Sequence, residues 1–264
     1  MLRPAPKQPY KNVMNKRLII ANWKMHGDLA MADGFAAALG QVNIVEVVVM
    51  PPMAYLQGMA EAAAGQVALG CQDISRFAEG AYTGDVSARM AYEVGARWAL
   101  VGHSERRVVH SESDQDVAAK CEAAVEAGLS PIVCVGETQQ QRDAGIAVET
   151  ISDQLASIWP LLLQAPAAAI AYEPVWAIGS GQVASLEDVA IMHRSIREQM
   201  RAYDARMLEK VRVIYGGSVK PNNVGELFTD DAVEGVLVGG ASLDPESFRA
   251  IIDVAAEQAA AEKE

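Results

Sequence analysis

Short, nearly unbroken apolar runs recur along the chain at 18–22, 47–50, 67–71, 98–102, 131–135, 168–172, 211–215 and 235–238. They lack the apolar–polar alternation of a strand with one wet face. Such runs predict strands covered on both sides, as in a parallel sheet. Between them, apolar residues recur at i, i+3 and i+4. This spacing predicts helices over about 28–40, 53–64, 87–95, 106–127, 139–163, 185–208, 221–228 and 244–260. Ser111, Ser152, Ser185 and Asp244 suit helix N-termini, and Pro245 suits a first turn. Gly65, Gly95 and Gly128 fall where helices should stop.

Eight strand–helix units without a break in composition predict an α/β fold. The expected architecture over residues 16–264 is one (β/α)8 barrel: eight parallel strands closed inside a ring of helices. The competing open, doubly wound sheet calls for a G-x-G-x-x-G turn after its first strand. Here that strand runs into Ala21-Asn22-Trp23-Lys24 instead. Residues 1–15 carry Pro4, Pro6 and Pro9 among basic and polar side chains and read as a flexible leader outside the core. Met14 offers an internal start.

Composition narrows the function. A chain of 264 residues that is 51 % hydrophobic has material for a large core. Only 6 % of it is aromatic, so that core is aliphatic. Acids outnumber bases 34 to 22. Five of the bases lie before residue 18 with no acid among them, so 17 bases face 34 acids in the remainder. A body this acidic argues against nucleic-acid or anionic-membrane partners. An anionic substrate would be held by a few local positive groups. The thiols of Cys71, Cys121 and Cys134 are odd in number and widely spaced, which fits neither a disulfide framework nor a zinc site. They suit a reducing, cytoplasmic setting. No apolar run reaches membrane-spanning length, and no secretory signal is evident.

In a (β/α)8 barrel the chemistry sits at the carboxyl ends of the strands. Strand one ends in Asn22 and Lys24, strand four in His103-Ser104-Glu105-Arg106, and strand six in Glu173-Pro174. Strand seven ends in Gly216-Gly217-Ser218 and strand eight in Gly239-Gly240. Two successive glycine-rich turns suit phosphate held by backbone amides. A carboxylate at the end of a buried strand needs a partner or a task, so Glu173 is either an ion-pair member or an acid–base group. His103 is either structural or catalytic. Its place at a helix N-terminus disfavours a second proton on the ring. Lys24 fits an oxyanion or phosphate ligand and equally a Schiff-base former. Residues 174–184 begin apolar (Val175, Trp176, Ala177, Ile178) and turn small, as expected of a lid that excludes water. His103-Ser104-Glu105 does not make a serine hydrolase, because chain neighbours do not aim at one another and no G-x-S-x-G elbow is present.

The segments Ala21-Asn22-Trp23-Lys24-Met25, Val101-Gly102-His103-Ser104-Glu105-Arg106-Arg107, Val133-Cys134-Val135-Gly136-Glu137, Tyr172-Glu173-Pro174-Val175-Trp176-Ala177-Ile178-Gly179, Tyr215-Gly216-Gly217-Ser218-Val219 and Val238-Gly239-Gly240-Ala241 occur in this order over 18–250. In them the chain closely resembles the triosephosphate isomerase family. The resemblance implies an aldose–ketose isomerase, without metal or cofactor. It would interconvert dihydroxyacetone phosphate and D-glyceraldehyde 3-phosphate through an enediolate, a step of glycolysis and gluconeogenesis. It implies Glu173 as the base and His103 as a neutral electrophile. Lys24 and Asn22 would lie at the reacting oxygens, with amides of Gly179, Ser218, Gly239 and Gly240 on the phosphate. Cys134 would support the base by packing. It also implies a homodimer in which the loop around Thr83 inserts near the partner's Asn22 and Lys24. Asp85 departs from the usual Thr-Gly-Glu of that loop. Ser180 and Gln182 depart from the usual Gly-Thr-Gly-Lys of the lid. A sister isomerase of a four-carbon sugar phosphate shares these groups, and a secondary binding role is compatible with them.

Overall fold

The computed structural model describes residues 16–40, 42–178 and 183–261. The expected leader and Gly179, Ser180 and Gln182 lie outside these residues. The strands are β1 (Leu18–Asn22), β2 (Glu46–Met50), β3 (Ala68–Cys71), β4 (Trp98–Val101), β5 (Ser130–Val135), β6 (Ala168–Tyr172), β7 (Val211–Tyr215) and β8 (Gly235–Val238). They pair in chain order, and β8 pairs with β1, closing a barrel whose pairings are all parallel. This is the expected (β/α)8 architecture, with each strand end within one residue of its predicted place.

Burial explains the missing alternation. Leu18, Ile20, Val48, Met50, Trp98, Leu100, Ile132 and Cys134 fill the barrel interior. Their chain neighbours Ile19, Ala21, Val47, Val49, Ala99, Val101 and Val133 pack outward with the helices. Apart from Glu46 and Ala68 at the strand starts, every strand position is therefore buried whichever way it points. Gly70 on β3 yields its side-chain space to Met50, whose Cε would lie 2.5 Å from a Cβ there. Toward the strand starts, Arg212 is buried against the Trp98 ring and pairs with Glu46 at 2.6 Å.

The helices depart from the sequence reading where one apolar stripe runs across a break. After α1 (Leu29–Leu39), α2 (Met53–Ala63) and α3 (Ala88–Glu93), the stretch 106–127 is two helices, α4 (Ser104–Val109) and α5 (Asp114–Glu126). Ser111, an expected cap, sits between them with φ 57°. The cap is Ser113, which exchanges hydrogen bonds with Asp116 in a capping box. The stretch 139–163 is three helices, α6 (Gln139–Asp143), α7 (Ala147–Ala156) and α8 (Trp159–Gln164). Gly145, at φ 73°, ends the first of these turns. Ser152 lies inside α7 and caps nothing. Ser185 does cap α9 (Leu186–Tyr203), accepting from Asp188 N–H. The Asp244 carboxylate accepts from Ser247 N–H at the start of the C-terminal helix Pro245–Ala261. The expected helix over 221–228 is a single turn, Val224–Leu227.

Helix α9 clamps onto the barrel through Val189, Met192, Ile196 and Met200. It also buries His193 completely, with Nδ1 3.0 Å from Ala232 O. Burial penalises the charged ring and lowers its pKa to about 4. An unfolded chain protonates this histidine near pH 6.5, whereas the folded one resists until about pH 4. Stability is therefore undiminished by this group above pH 6.5 and is lost as pH falls through that window. Urea unfolding should show a loss of about 2 kcal/mol from this group between pH 7 and 5. His193→Asn should lack that component, and an unchanged pH dependence in the variant would contradict the assignment.

Candidate active site

Five strand ends converge on a cavity of about 590 Å³ lined by Asn22, Lys24, His103, Glu173, Gly216–Ser218 and Gly239–Gly240. Each of these arrives by the logic of its strand. Glu173 follows β6 directly, and its backbone continues the β5 pairing by donating to Val135 O at 2.7 Å. Its side chain is 3 % exposed. Oε2 accepts from Ser104 N–H at 2.8 Å, an amide in the first turn of α4. Oε1 lies 3.1 Å from His103 Nε2. A buried carboxylate is thus met by a helix-terminal amide and an imidazole, and among the described residues no lysine or arginine pairs with it.

His103 is the N-cap of α4, and its Nδ1 accepts from Glu105 N–H at 3.2 Å. A nitrogen that accepts bears no proton, so the ring proton is on Nε2 and points at Glu173. Lys24 stands at φ 51°, the left-handed region that an L side chain enters at a cost of roughly 1–3 kcal/mol. Its N–H donates to the Asn22 side chain at 3.0 Å, and its ammonium pairs with Glu105 at 2.6 Å. Burial acts to raise the Glu105 carboxyl, but the hydrogen bond from Lys24 and nearby positive charge outweigh it and leave the group below its usual range. Gly239 lets the Lys24 stem pass, since a Cβ there would meet Lys24 Cε at 3.2 Å. Gly216 does the same for Glu173, since its Cβ would come within 2.8 Å of Glu173 Cγ.

A family model for triosephosphate isomerase matches residues 17–255. The chain is 45 % identical over 251 residues to a triosephosphate isomerase of Hahella chejuensis, covering 92 % of this chain and all of that one. It is 47 % identical to one of Stenotrophomonas maltophilia and 46 % identical to one of Alkalilimnicola ehrlichii. Each of these comparisons covers 92 % of this chain and 99 % of the relative. The chain belongs to the triosephosphate isomerase family.

As a member of that family it brings Asn22, Lys24, His103, Glu173, Ser218, Gly239 and Gly240 around one cavity, while Gly179 lies outside the described residues. Sequence reasoning passed over several supporting groups. Glu137, fully buried, receives the Tyr172 hydroxyl at 3.0 Å, the Trp176 indole N–H at 2.8 Å and Arg142 at 3.4 Å. Arg142 also pairs with Asp188, the capping-box residue of α9. Trp176 at one end of the 174–184 segment and helix α9, which follows its other end, are therefore anchored to one charge cluster. Burial, then the neighbouring Glu137 charge, holds the Tyr172 hydroxyl well above its usual pKa. Cys134 is fully buried, and desolvation followed by the Glu173 charge raises its thiol well above the usual range. It packs as a neutral group rather than a nucleophile. Among the described residues there is no cluster of His, Cys, Asp or Glu able to hold a metal ion, and no helix is long and apolar enough to cross a membrane.

The His103 tautomer is directly measurable. Nitrogen-15 NMR at neutral pH should show a protonated Nε2 and an unprotonated Nδ1, with the signal assigned by its loss in His103→Asn. A doubly protonated ring would contradict the hydrogen-bond geometry.

Proposed function

We propose that this chain is an aldose–ketose isomerase that interconverts dihydroxyacetone phosphate and D-glyceraldehyde 3-phosphate by proton transfer through an enediolate. The observation that carries this reading is the Glu173–His103 pair facing one cavity with Lys24 and Asn22. The chain around it matches triosephosphate isomerases along nearly its whole length.

The chemistry follows from the atoms present. Removing a proton from carbon beside a carbonyl places negative charge on the carbonyl oxygen, so a donor must already be waiting there. His103 Nε2–H is that donor, and it points at Glu173 Oε1. A substrate carbonyl that accepts from Nε2–H replaces this contact and frees Oε1 for the carbon-bound proton. Glu173 takes that proton from one carbon and returns it to the neighbouring one. His103 gives its Nε2 proton to the first oxygen and recovers one from the second, so both groups end as they began. Lys24 offsets the developing charge. Amides of Gly179, Ser218, Gly239 and Gly240 hold the phosphate, and glycine at three of these positions allows close approach. Binding energy from this remote group serves to orient the reacting carbons.

Turnover of D-glyceraldehyde 3-phosphate in a coupled assay tests the reading. Glu173→Gln should lower kcat by roughly 10²- to 10⁴-fold at nearly unchanged KM. Full activity in that variant overturns the base assignment, and faster turnover of a four-carbon ketose phosphate overturns the substrate assignment.

The same reading includes a homodimer. The loop after β3 is built to project. Tyr82 stacks on Phe77 at 3.9 Å, and Asp85 accepts from the Ser75 hydroxyl at 2.6 Å. These contacts leave Thr83 exposed. Beside it runs a groove of about 960 Å³ lined by Asn22, Lys24, His103, Glu105 and Val109. Met25 and Val109 at this groove are 93 % and 71 % exposed, unusual for apolar side chains without a covering surface. Insertion of a partner's loop would cover them and fix Lys24. Thr83→Arg should yield a monomer in sedimentation, with kcat reduced on the order of a hundredfold. A fully active monomer would contradict the coupling. A cytoplasmic setting is supported by the three buried free thiols.

A further inference from the structure

The pairing of β5 with β6 runs past the last residue of either strand. Glu173 N–H donates to Val135 O at 2.7 Å and Val175 N–H donates to Glu137 O at 3.2 Å. Peptide groups alternate in direction along a strand, so those of Gly136, between the two acceptors, face the opposite way. On that side β4 has already ended at Val101 and the chain has turned into α4. No strand is left to receive them. The partner is a side chain from α7: Gly136 N–H donates to Gln154 Oε1 at 2.9 Å, and Gln154 Nε2 donates back to Gly136 O at 3.0 Å. One planar carboxamide thus stands in for a whole strand residue, matching donor and acceptor together.

The other face of Gly136 presses on the base. A Cβ at this position would lie 1.7 Å from Glu173 O and 2.8 Å from Glu173 C, so the Gly136 backbone is seated directly against the Glu173 peptide. A shift of Gly136 must shift Glu173. Helix α7 is itself anchored by the buried Ile151 and Leu155, which flank Gln154 on the sequence. Gln154 is not among the residues that line the catalytic cavity.

We propose that Gln154 is a positioning residue for the base. Its amide fixes the plane of Gly136, and Gly136 fixes the backbone from which the Glu173 carboxylate is aimed. This rests on the reading of Glu173 as the base. A misplacement of about 1 Å at a reacting group lowers rate by as much as a hundredfold, so the effect belongs in kcat and not in substrate affinity.

Replacing the carboxamide separates this role from simple packing. In Gln154→Met the bulk remains and both hydrogen bonds go. In Gln154→Glu the ionised side chain offers only acceptors and sets a negative charge against Gly136 O. Its protonated form restores one donor and one acceptor. Kinetic constants for D-glyceraldehyde 3-phosphate should be measured across pH for wild type, Gln154→Met, Gln154→Glu and Glu173→Gln, with circular dichroism on each. Gln154→Met should lose about 10- to 100-fold in kcat with KM within about threefold of wild type. Gln154→Glu, normalised to wild type, should recover activity as pH falls, a trend that Gln154→Met does not share. Wild-type kcat in Gln154→Met overturns the positioning role. So does a normalised profile for Gln154→Glu that is flat with pH, and this second variant decides if the first does not fold. Undiminished kcat in Glu173→Gln instead overturns the assignment of the base, and this inference with it.

Discussion

Closure of the sheet by the β8–β1 pairing is the constraint on which everything else depends. Parallel strands all end on the same side, but an open sheet spreads those ends along a line. Closing it bends the line into a ring, so that Asn22 at the end of β1 and Lys24 just after it meet Gly239 after β8. Residues more than two hundred positions apart in the chain become neighbours because a backbone edge must find a partner. The interior of that ring is filled by Met50, Trp98, Leu100 and their neighbours, so the cavity is a shallow basin on a solid floor.

That floor is dry, and dryness governs how the charges above it behave. Glu173 sits in it beside the Ser104 amide, the His103 imidazole and the Cys134 thiol, and the cation Lys24 is engaged by Glu105. Had the lysine paired with Glu173 instead, the carboxylate would be a spectator ion pair. Two carboxylates divide these contacts: Glu105 takes the strong cation and Glu173 is left with weaker donors. The glycines at 136 and 216 make room for this on both sides of Glu173, one against its backbone and one against its side chain.

Much of this was legible in the sequence. Strand bounds came through because a segment dry on both faces must be apolar throughout. The groups that line the cavity came through because the barrel gathers side chains where apolar runs stop, and because the surrounding motifs match a known family. The helix breaks at Ser111 and Gly145 did not, since the apolar stripe continues across both and only the local backbone turns. Glu137 and Gln154 were also missed as supports. A glutamine on a helix reads as a solvated surface residue, and its partner Gly136 is 18 positions away. What ties them is the loss of a neighbouring strand at one point on the rim, and no local spacing encodes it.

The left-handed backbone at Lys24 has an evolutionary reading. Glycine would relieve that strain, and asparagine would relieve much of it. The strain is a sizeable share of the 5–15 kcal/mol that separates a typical domain from its unfolded chain. Selection on heat resistance alone would therefore drift away from lysine at this position. A stressed lysine puts the placement of its ammonium ahead of backbone ease, so a library ranked only by melting temperature would discard it.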